Sequence, residues 1–356
     1  MKKNIKHKRQ LKSLISNIIF SSIALMALVI CIIFILVNNS LRNDISILNK
    51  EKDEIEKYAD DHPYSQQEMD NMAERIREEE NTKEKDILLG QIKETIDNGY
   101  SPYYLFRSLF PDDVVVLSDG GYEFYPIMPE LKKNDYVMDN FLEDEETKEV
   151  TYVNDNNEVL SKKGIDVSSH NGEIDWKKVA ADGVDFAFVR VGFRGSTEGG
   201  IAEDTFFEDN MNGAIDNGVD VGVYFFSQAI DEKEAVEEAE FVLEAVSDYD
   251  LTMPIVFDIE KYENGRADKL SMEKYTNITK SFINRIKESG YDTMIYGNLN
   301  TMFKMIDLKE FEDCPKWFAY YTYPVYFPYE YSIWQYSSTG KVDGIEGSVD
   351  LNILVK

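Results

Sequence analysis

The sequence predicts an α/β chain whose final part, 164–356, closes into an irregular TIM-like (β/α)5(β)3 barrel. Before it the sequence places a transmembrane helix, a helical stalk and a small α+β accessory module. Three observations carry this. The twenty residues Ile18–Val37 contain no charge, which is the length a helix needs to cross a hydrocarbon core. From Gly164 onward, apolar strand-like runs alternate with helical stretches, the rhythm of βα units around a parallel sheet. The last three strand-like runs then follow one another with little room for helices between them.

Composition bounds the rest. A chain of 356 residues accommodates about two domains plus connecting structure. With 43% apolar and 29% charged residues it is globular rather than disordered. The net charge is −29, and the first twelve residues alone hold six Lys/Arg and no acid, so the remainder carries −35. Such a surface repels phosphates and excludes a nucleic-acid partner. The two cysteines are Cys31, inside the apolar run, and Cys314, so no disulfide joins them. Three scattered histidines (His7, His62, His170) give no metal-ligand spacing. Neither a metal nor a cofactor is expected.

Residues 1–17 read as a basic cytoplasmic tail and 18–37 as an uncleaved membrane anchor. A signal peptide would have a shorter apolar region and a small-x-small site, which Val37-Asn38-Asn39-Ser40-Leu41 does not offer. Six Lys/Arg precede the span and three follow within fifteen residues, so the positive-inside rule puts everything after Ser40 outside the cell. The expectation is a single-pass protein of the cell membrane. Residues 38–94 form the stalk. Leu41, Ile45, Leu48, Ile55 and Ala59 fit a short heptad pattern that ends at His62-Pro63, weak grounds for a homodimer beside the blander reading of a solvated helix. Ser65-x-x-Glu68 is a capping-box pattern that starts a second helix. The accessory module spans 95–142 and includes a hairpin, Val114–Leu117 and Tyr122–Ile127 around Ser118-Asp119-Gly120-Gly121. The acidic stretch 143–163 reads as a linker, with Val150–Val153 as a candidate strand.

Within the barrel, the strands are 164–167, Phe186–Val191, Val219–Phe226, Pro254–Ile259, Thr293–Tyr296, Trp317–Tyr321, Ser332–Tyr336 and Ser348–Leu351. Gly183, Gly218 and Gly290 recur at helix-to-strand joints, each suiting the left-handed position that ends a helix. In such barrels chemistry sits where strands end. Asp166 lies in the first strand, Asp258 and Glu260 end the fourth, and Asp350 falls in the last. Residues i and i+2 of a strand point to one side, with Cα atoms roughly 6.6 Å apart. Met253–Phe257 before Asp258 is apolar, so burial and a neighbouring carboxylate together suit a general acid beside an ionised partner. Helix capping or cation binding by the same acids is the bland alternative. Tyrosines and tryptophans on the same strands suit sugar-binding walls, although core packing explains any single one equally well. His170 reads as a loop histidine satisfied locally.

Gly164-Ile165-Asp166-Val167-Ser168-Ser169-His170-Asn171-Gly172 followed by Ile174-Asp175-Trp176 resembles the opening of the family 25 glycoside hydrolases. These are lysozymes that cut peptidoglycan between N-acetylmuramic acid and N-acetylglucosamine. Phe188–Gly192, Gly222-Val223-Tyr224, Pro254–Glu260, Trp317-x-Ala319-x-Tyr321, Trp334–Gly340 and Val349–Asn352 continue the resemblance in order over about 164–356. It implies a retaining muramidase with Glu260 as general acid, Asp258 orienting or stabilising the N-acetyl group, and Asp166 and Asp350 as groove carboxylates. It further implies Tyr224, Tyr296, Trp317, Tyr321, Trp334 and Gln335 as substrate-binding residues. Peptidoglycan glycan strands are the implied partner. Whether an enzyme carboxylate or the substrate's acetamide attacks stays open. Phe225 stands where the family often has His, and Tyr320 where Gln is common, which touches subsite detail but no acid. A purely chitinase-like enzyme is disfavoured, since its Asp-x-Asp-x-Glu run needs an acid at Val256. The rival from another class is a non-catalytic wall-binding scaffold that keeps the barrel as a sugar clamp.

Overall fold

The computed structural model describes Leu28, Cys31, Ile32 and residues 34–52, 66–98, 105–106, 109–118, 121–322 and 325–355. The basic tail, most of the apolar run 18–37, the heptad positions Ile55 and Ala59, the His62-Pro63 stop, Ser65, the turn residues Asp119-Gly120 and Tyr323 lie outside the described residues. Among the described residues, no helix is long and apolar enough to cross a membrane. The chain divides into two compact units, Met1–Glu94 and Thr95–Lys356.

In the first unit, α1 (34–52) and α2 (Gln66–Asp97) run side by side in opposite directions. Asn43 pairs with Glu84, and Glu51 meets Arg77 at 3.8 Å. Ile47 and Leu88 are buried, whereas the heptad positions Leu41, Ile45 and Leu48 are exposed. Residues 34–52 and 66–97 therefore lie as an antiparallel pair, and the heptad stripe is not the face by which they meet.

The second unit is built on a closed eight-stranded sheet. Its strands are β5 (Ser161–Val167), β6 (Phe186–Arg194), β8 (Asp220–Ser227), β9 (Ile255–Ile259), β10 (Thr293–Gly297), β11 (Lys316–Ala319), β12 (Ile333–Gly340) and β13 (Val349–Val355), and closure comes from β5 pairing with both β6 and β13. Seven strands are parallel. β13 runs antiparallel to β12 and β5, because the short link between β12 and β13 leaves no length for a crossover. β7 (Ile201–Glu203) is a short edge strand on β6. Helices α3 (Trp176–Ala181), α4 (Phe207–Asp216), α5 (Glu232–Ala245) and α6 (Met272–Glu288) coat the first strands. Asp175, Asp231 and Ser271 cap the starts of α3, α5 and α6 by accepting backbone N–H bonds. Gly183, Gly218 and Gly290 have φ of 83°, 75° and 87°, the left-handed region that ends these helices cheaply. The fifth connection holds a π turn at Thr301–Met305 and a 3-10 turn at Leu308–Phe311 in place of an α-helix.

Side chains of alternating parity fill the inside: Phe186, Phe188, Val256, Met294, Tyr296, Trp317, Ala319 and Ile333 form one buried cluster. A Cβ on Gly164 would stand 2.1 Å from the Phe186 ring, so the first strand must carry glycine there. The outer faces of β11 and β12 have no helices to cover them. The segment 325–331 and the N-terminal residues of this unit do that work. Phe318 stacks on Phe327 at 4.3 Å, and Trp334 meets Phe141 edge-on at 5.5 Å. The hairpin of β1 (Asp113–Ser118) and β2 (Gly121–Pro126) is fastened by the Val115 N–H donating to Tyr326 Oη at 3.0 Å. A second hairpin, β3 (Phe141–Glu143) with β4 (Val150–Tyr152), occupies the stretch read as a linker. The described residues between 113 and 163 thus pack as part of the barrel's shell rather than as a separate module plus spacer. Their apolar side chains serve a surface far away in sequence, so no local period announces it.

Candidate active site

The four acids meet at one mouth of the barrel. Asp166 and Asp258 lie near the C-terminal ends of β5 and β9, and Glu260 follows β9 directly. Asp350 sits at the start of β13, and because that strand is antiparallel its beginning faces the same end; Asp350 and Asp166 are register partners. Trp317, stacked on Phe188 at 4.6 Å, forms the floor, and its Nε1 donates to Asn352 Oδ1 at 2.7 Å. Asn352 Nδ2 and Gln335 Nε2 each donate to Asp166 Oδ2 at 2.8 Å. Gln335 Oε1 accepts from Tyr296 Oη at 2.8 Å and from Tyr321 Oη at 2.7 Å.

Burial raises the protonation range of every one of these acids. For Asp258 the causes are burial, then the charges of Glu260 and Asp166, opposed by Arg190. For Asp166 they are burial, then Asp350, opposed by the hydrogen bonds of Asn352 and Gln335. Burial and Asp350 push Glu260 up, while a hydrogen bond from Tyr296 pulls it down. Burial raises Asp350, and its hydrogen bond with Asp166 works the other way. Asp258 Oδ1 is buried and has no hydrogen-bond partner. A site that holds protonated and ionised carboxyls side by side can give a proton to a leaving group and hold a polar neighbour.

This has a cost measurable without substrate. A carboxyl whose folded-state pKa is raised binds its proton more tightly folded than unfolded, so its native state loses stability as pH climbs above the unfolded carboxylate range. Asp258→Asn removes that penalty. The expected outcome is a thermal midpoint about 2–4 °C above wild type at pH 7.5, roughly 1 kcal/mol in a domain of this size, with the gain fading towards pH 4. A gain that is constant across pH, or absent, would refute an uncompensated charge at Asp258.

The structure brings most of the expected groove residues together. Tyr224 lies half-buried on the inner face of β8, Tyr296 and Gln335 are buried in the mouth, and Tyr321 is 53% exposed on its rim. Trp317 is too deep to be a wall. Trp334 is not in the mouth: strand parity puts Gln335 inside and Trp334 outside, where it packs on Phe141 and Tyr336 and donates from Nε1 to the Tyr320 carbonyl. The same parity turns Phe225 outwards against Phe241, away from the acids. His170 is exposed on a 3-10 turn. Two site residues escaped the reading of the sequence. Arg190, held by Asp204 at 2.7 Å and Ser169 at 3.0 Å, is the cation that opposes the rise at Asp258. Asn352 is the other. Asn352 lies two residues from Asp350, so parity would have found it; Arg190 lies two residues from Phe188, whose inward orientation only the fold shows.

The family model for glycosyl hydrolases family 25 matches residues 165–345, half of the chain. The chain belongs to this family. The family 25 match takes in Asp166, Asp258 and Glu260 and stops before β13, whose Asp350 and Asn352 the fold supplies to the same mouth. The autolytic lysozyme of Clostridium acetobutylicum is 30% identical over 200 residues, 53% of this chain and 55% of that protein. Lysozyme M1 of Streptomyces globisporus is 29% identical over 210 residues, 53% of this chain and 66% of that protein. Among solved structures, the modular autolysin LytC of Streptococcus pneumoniae, in complex with a synthetic peptidoglycan ligand, superposes with a TM-score of 0.50 at 27% identity. That match covers 67% of this chain and 57% of the autolysin. The family 25 chain therefore spans little more than half the length of the first of these curated relatives.

Proposed function

We propose that the chain is a membrane-anchored peptidoglycan hydrolase that cleaves the β-1,4 bond between N-acetylmuramic acid and N-acetylglucosamine with retention of configuration. The observation that carries this reading is the pairing of buried Asp258 with half-buried Glu260, two residues apart at the mouth of a closed barrel. Glu260 holds its proton because burial disfavours its charge, and it gives that proton to the glycosidic oxygen as the bond from C1 breaks. Asp258, with one oxygen lacking any partner, accepts the N–H of the substrate's acetamide and turns the acetamide oxygen towards C1. Glu260, now ionised, then takes a proton from the water that completes hydrolysis. Asp166, fixed by Asn352 and Gln335, and Asp350 beside it hold the negative field that favours positive charge developing at C1. The lysozyme and autolysin names of the relatives support the same substrate.

Anchoring rests on the uncharged run Ile18–Val37 and the basic residues before it, which leave the barrel outside the cytoplasmic membrane. One experiment tests both parts. Membranes from cells expressing the full chain are washed with alkaline carbonate and incubated with purified peptidoglycan, and the new reducing ends are identified chemically. Reducing-end N-acetylmuramic acid from the washed membranes is the expected result. Activity found only in the wash removes the anchor, reducing-end N-acetylglucosamine removes the muramidase, and binding without cleavage favours the scaffold.

A further inference from the structure

On the inner face of the mouth, Phe193 of β6, Phe226 of β8, Asp258 of β9 and Tyr296 of β10 are register partners in one row. Neighbouring strands stand about 4.8 Å apart, so Phe226 and Tyr296 flank Asp258 directly. Tyr296 is engaged: its Oη donates to Gln335 at 2.8 Å, and its ring meets Trp317 edge-on at 4.6 Å. Phe193 and Phe226 are half-buried and pack into neither of the barrel's buried apolar clusters. The Arg190 guanidinium lies 5.5 Å from the centre of the Phe193 ring. The next residue of each strand turns outwards, where Arg194 Nε and Ser227 Oγ each donate at 2.7 Å to the fully buried Glu238 of α5. One carboxylate thus ties the ends of β6 and β8 together behind the two rings. A half-open apolar pair on so fixed a frame is a preformed surface for an apolar group.

Asp258 identifies that group. Its Oδ1 is buried without a hydrogen-bond partner, and the N–H of the substrate's acetamide is the donor the reaction brings to it. A secondary amide is trans across its C–N bond, which leaves the acyl methyl on the same side as the N–H. An acetamide that donates to Asp258 therefore lays its methyl against a flanking side chain, and of the two flanks Phe226 is the apolar one. We infer that Phe226 seats the methyl of the substrate's N-acetyl group, with Phe193 closing the seat beyond it, so that these two rings determine which N-acyl groups the groove accepts. This rests on the reading of Asp258 as the acceptor of the acetamide N–H. A longer acyl chain has to push against Phe193, and an unacylated amine offers the rings nothing to cover them.

The test uses the full chain in detergent and peptidoglycan that has been chemically de-N-acetylated, then re-acylated with acetyl, propionyl or butyryl groups. Wild type is expected to favour the acetyl over the propionyl polymer by at least about tenfold in kcat/KM, the lower end of what one methylene is worth in a fitted apolar site. Phe226→Ala lowers the rate on the acetyl polymer about tenfold and brings the acetyl-to-propionyl ratio to within about threefold of unity, because the vacated space admits the longer chain. Phe193→Ala costs the acetyl polymer less and improves the butyryl polymer most. Phe226→Leu gives an intermediate ratio and carries the test if alanine costs the fold, which thermal unfolding of each variant reads. An acetyl-to-propionyl ratio that stays at the wild-type value in both Phe226 variants overturns the inference whatever the absolute rates, as does a wild type indifferent to acyl length. If wild type cleaves no polymer, but its co-sedimentation with the three polymers shows the acyl preference and Phe226→Ala loses it, the acyl seat stands and the hydrolase reading falls.

Discussion

Glu260→Gln is expected to lower kcat/KM on purified peptidoglycan by about 10²–10⁴-fold, the usual worth of a general acid, while polymer binding persists. The substitution keeps the side chain's shape and polarity, so the fold and groove are undisturbed. What it removes is the transferable proton. Burial and the negative field of Asp350 hold that proton on Glu260 where an exposed glutamate would have lost it. The measurement is the rate of new reducing ends, with co-sedimentation on insoluble peptidoglycan as the binding control. Retention of more than a tenth of the activity would mean that another group protonates the leaving oxygen. Asp258, which shares the face and is also raised, would be the next to substitute.

Trp317→Ala is expected to destabilise the chain by about 3–5 kcal/mol, the range for truncating a large buried aromatic. Trp317 is 1% exposed at the centre of the barrel. Its ring stacks on Phe188 at 4.6 Å, and Tyr296 meets it edge-on at the same 4.6 Å. Its Nε1 also holds Asn352, which in turn holds Asp166, so truncation leaves a cavity and an unpaired amide beneath the acids. Denaturant unfolding of the full chain in detergent measures the loss. Trp317→Phe, which fills most of the cavity, should recover more than half of it. A loss below about 1 kcal/mol in Trp317→Ala would mean that the interior collapses around the missing ring.

The barrel and its acids were readable because they obey short-range rules. Helix-ending glycines at 183, 218 and 290, strand runs at regular intervals and the i, i+2 spacing of Asp258 and Glu260 each express backbone geometry within a few residues. Strand parity holds more than that spacing. It separates Gln335 from Trp334 and adds Asn352 to the mouth. The shell was the illegible part. Phe141, Tyr136 and Val115 find Trp334, Tyr331 and Tyr326 across roughly 200 residues of chain, and no pattern inside 113–152 reveals that their partners are β12 and the segment just before it. A seam at Leu41, Ile45 and Leu48 reads as a coiled-coil face, but α1 meets α2 through Ile47, Asn43 and Glu51 instead.

The borrowed shell changes what counts as a transferable unit. A recombination event that moved 161–356 alone would carry every acid and every stave, yet leave Trp334 facing water where Phe141 had covered it. Inheritance of this enzyme is therefore tied to a breakpoint upstream of the first hairpin.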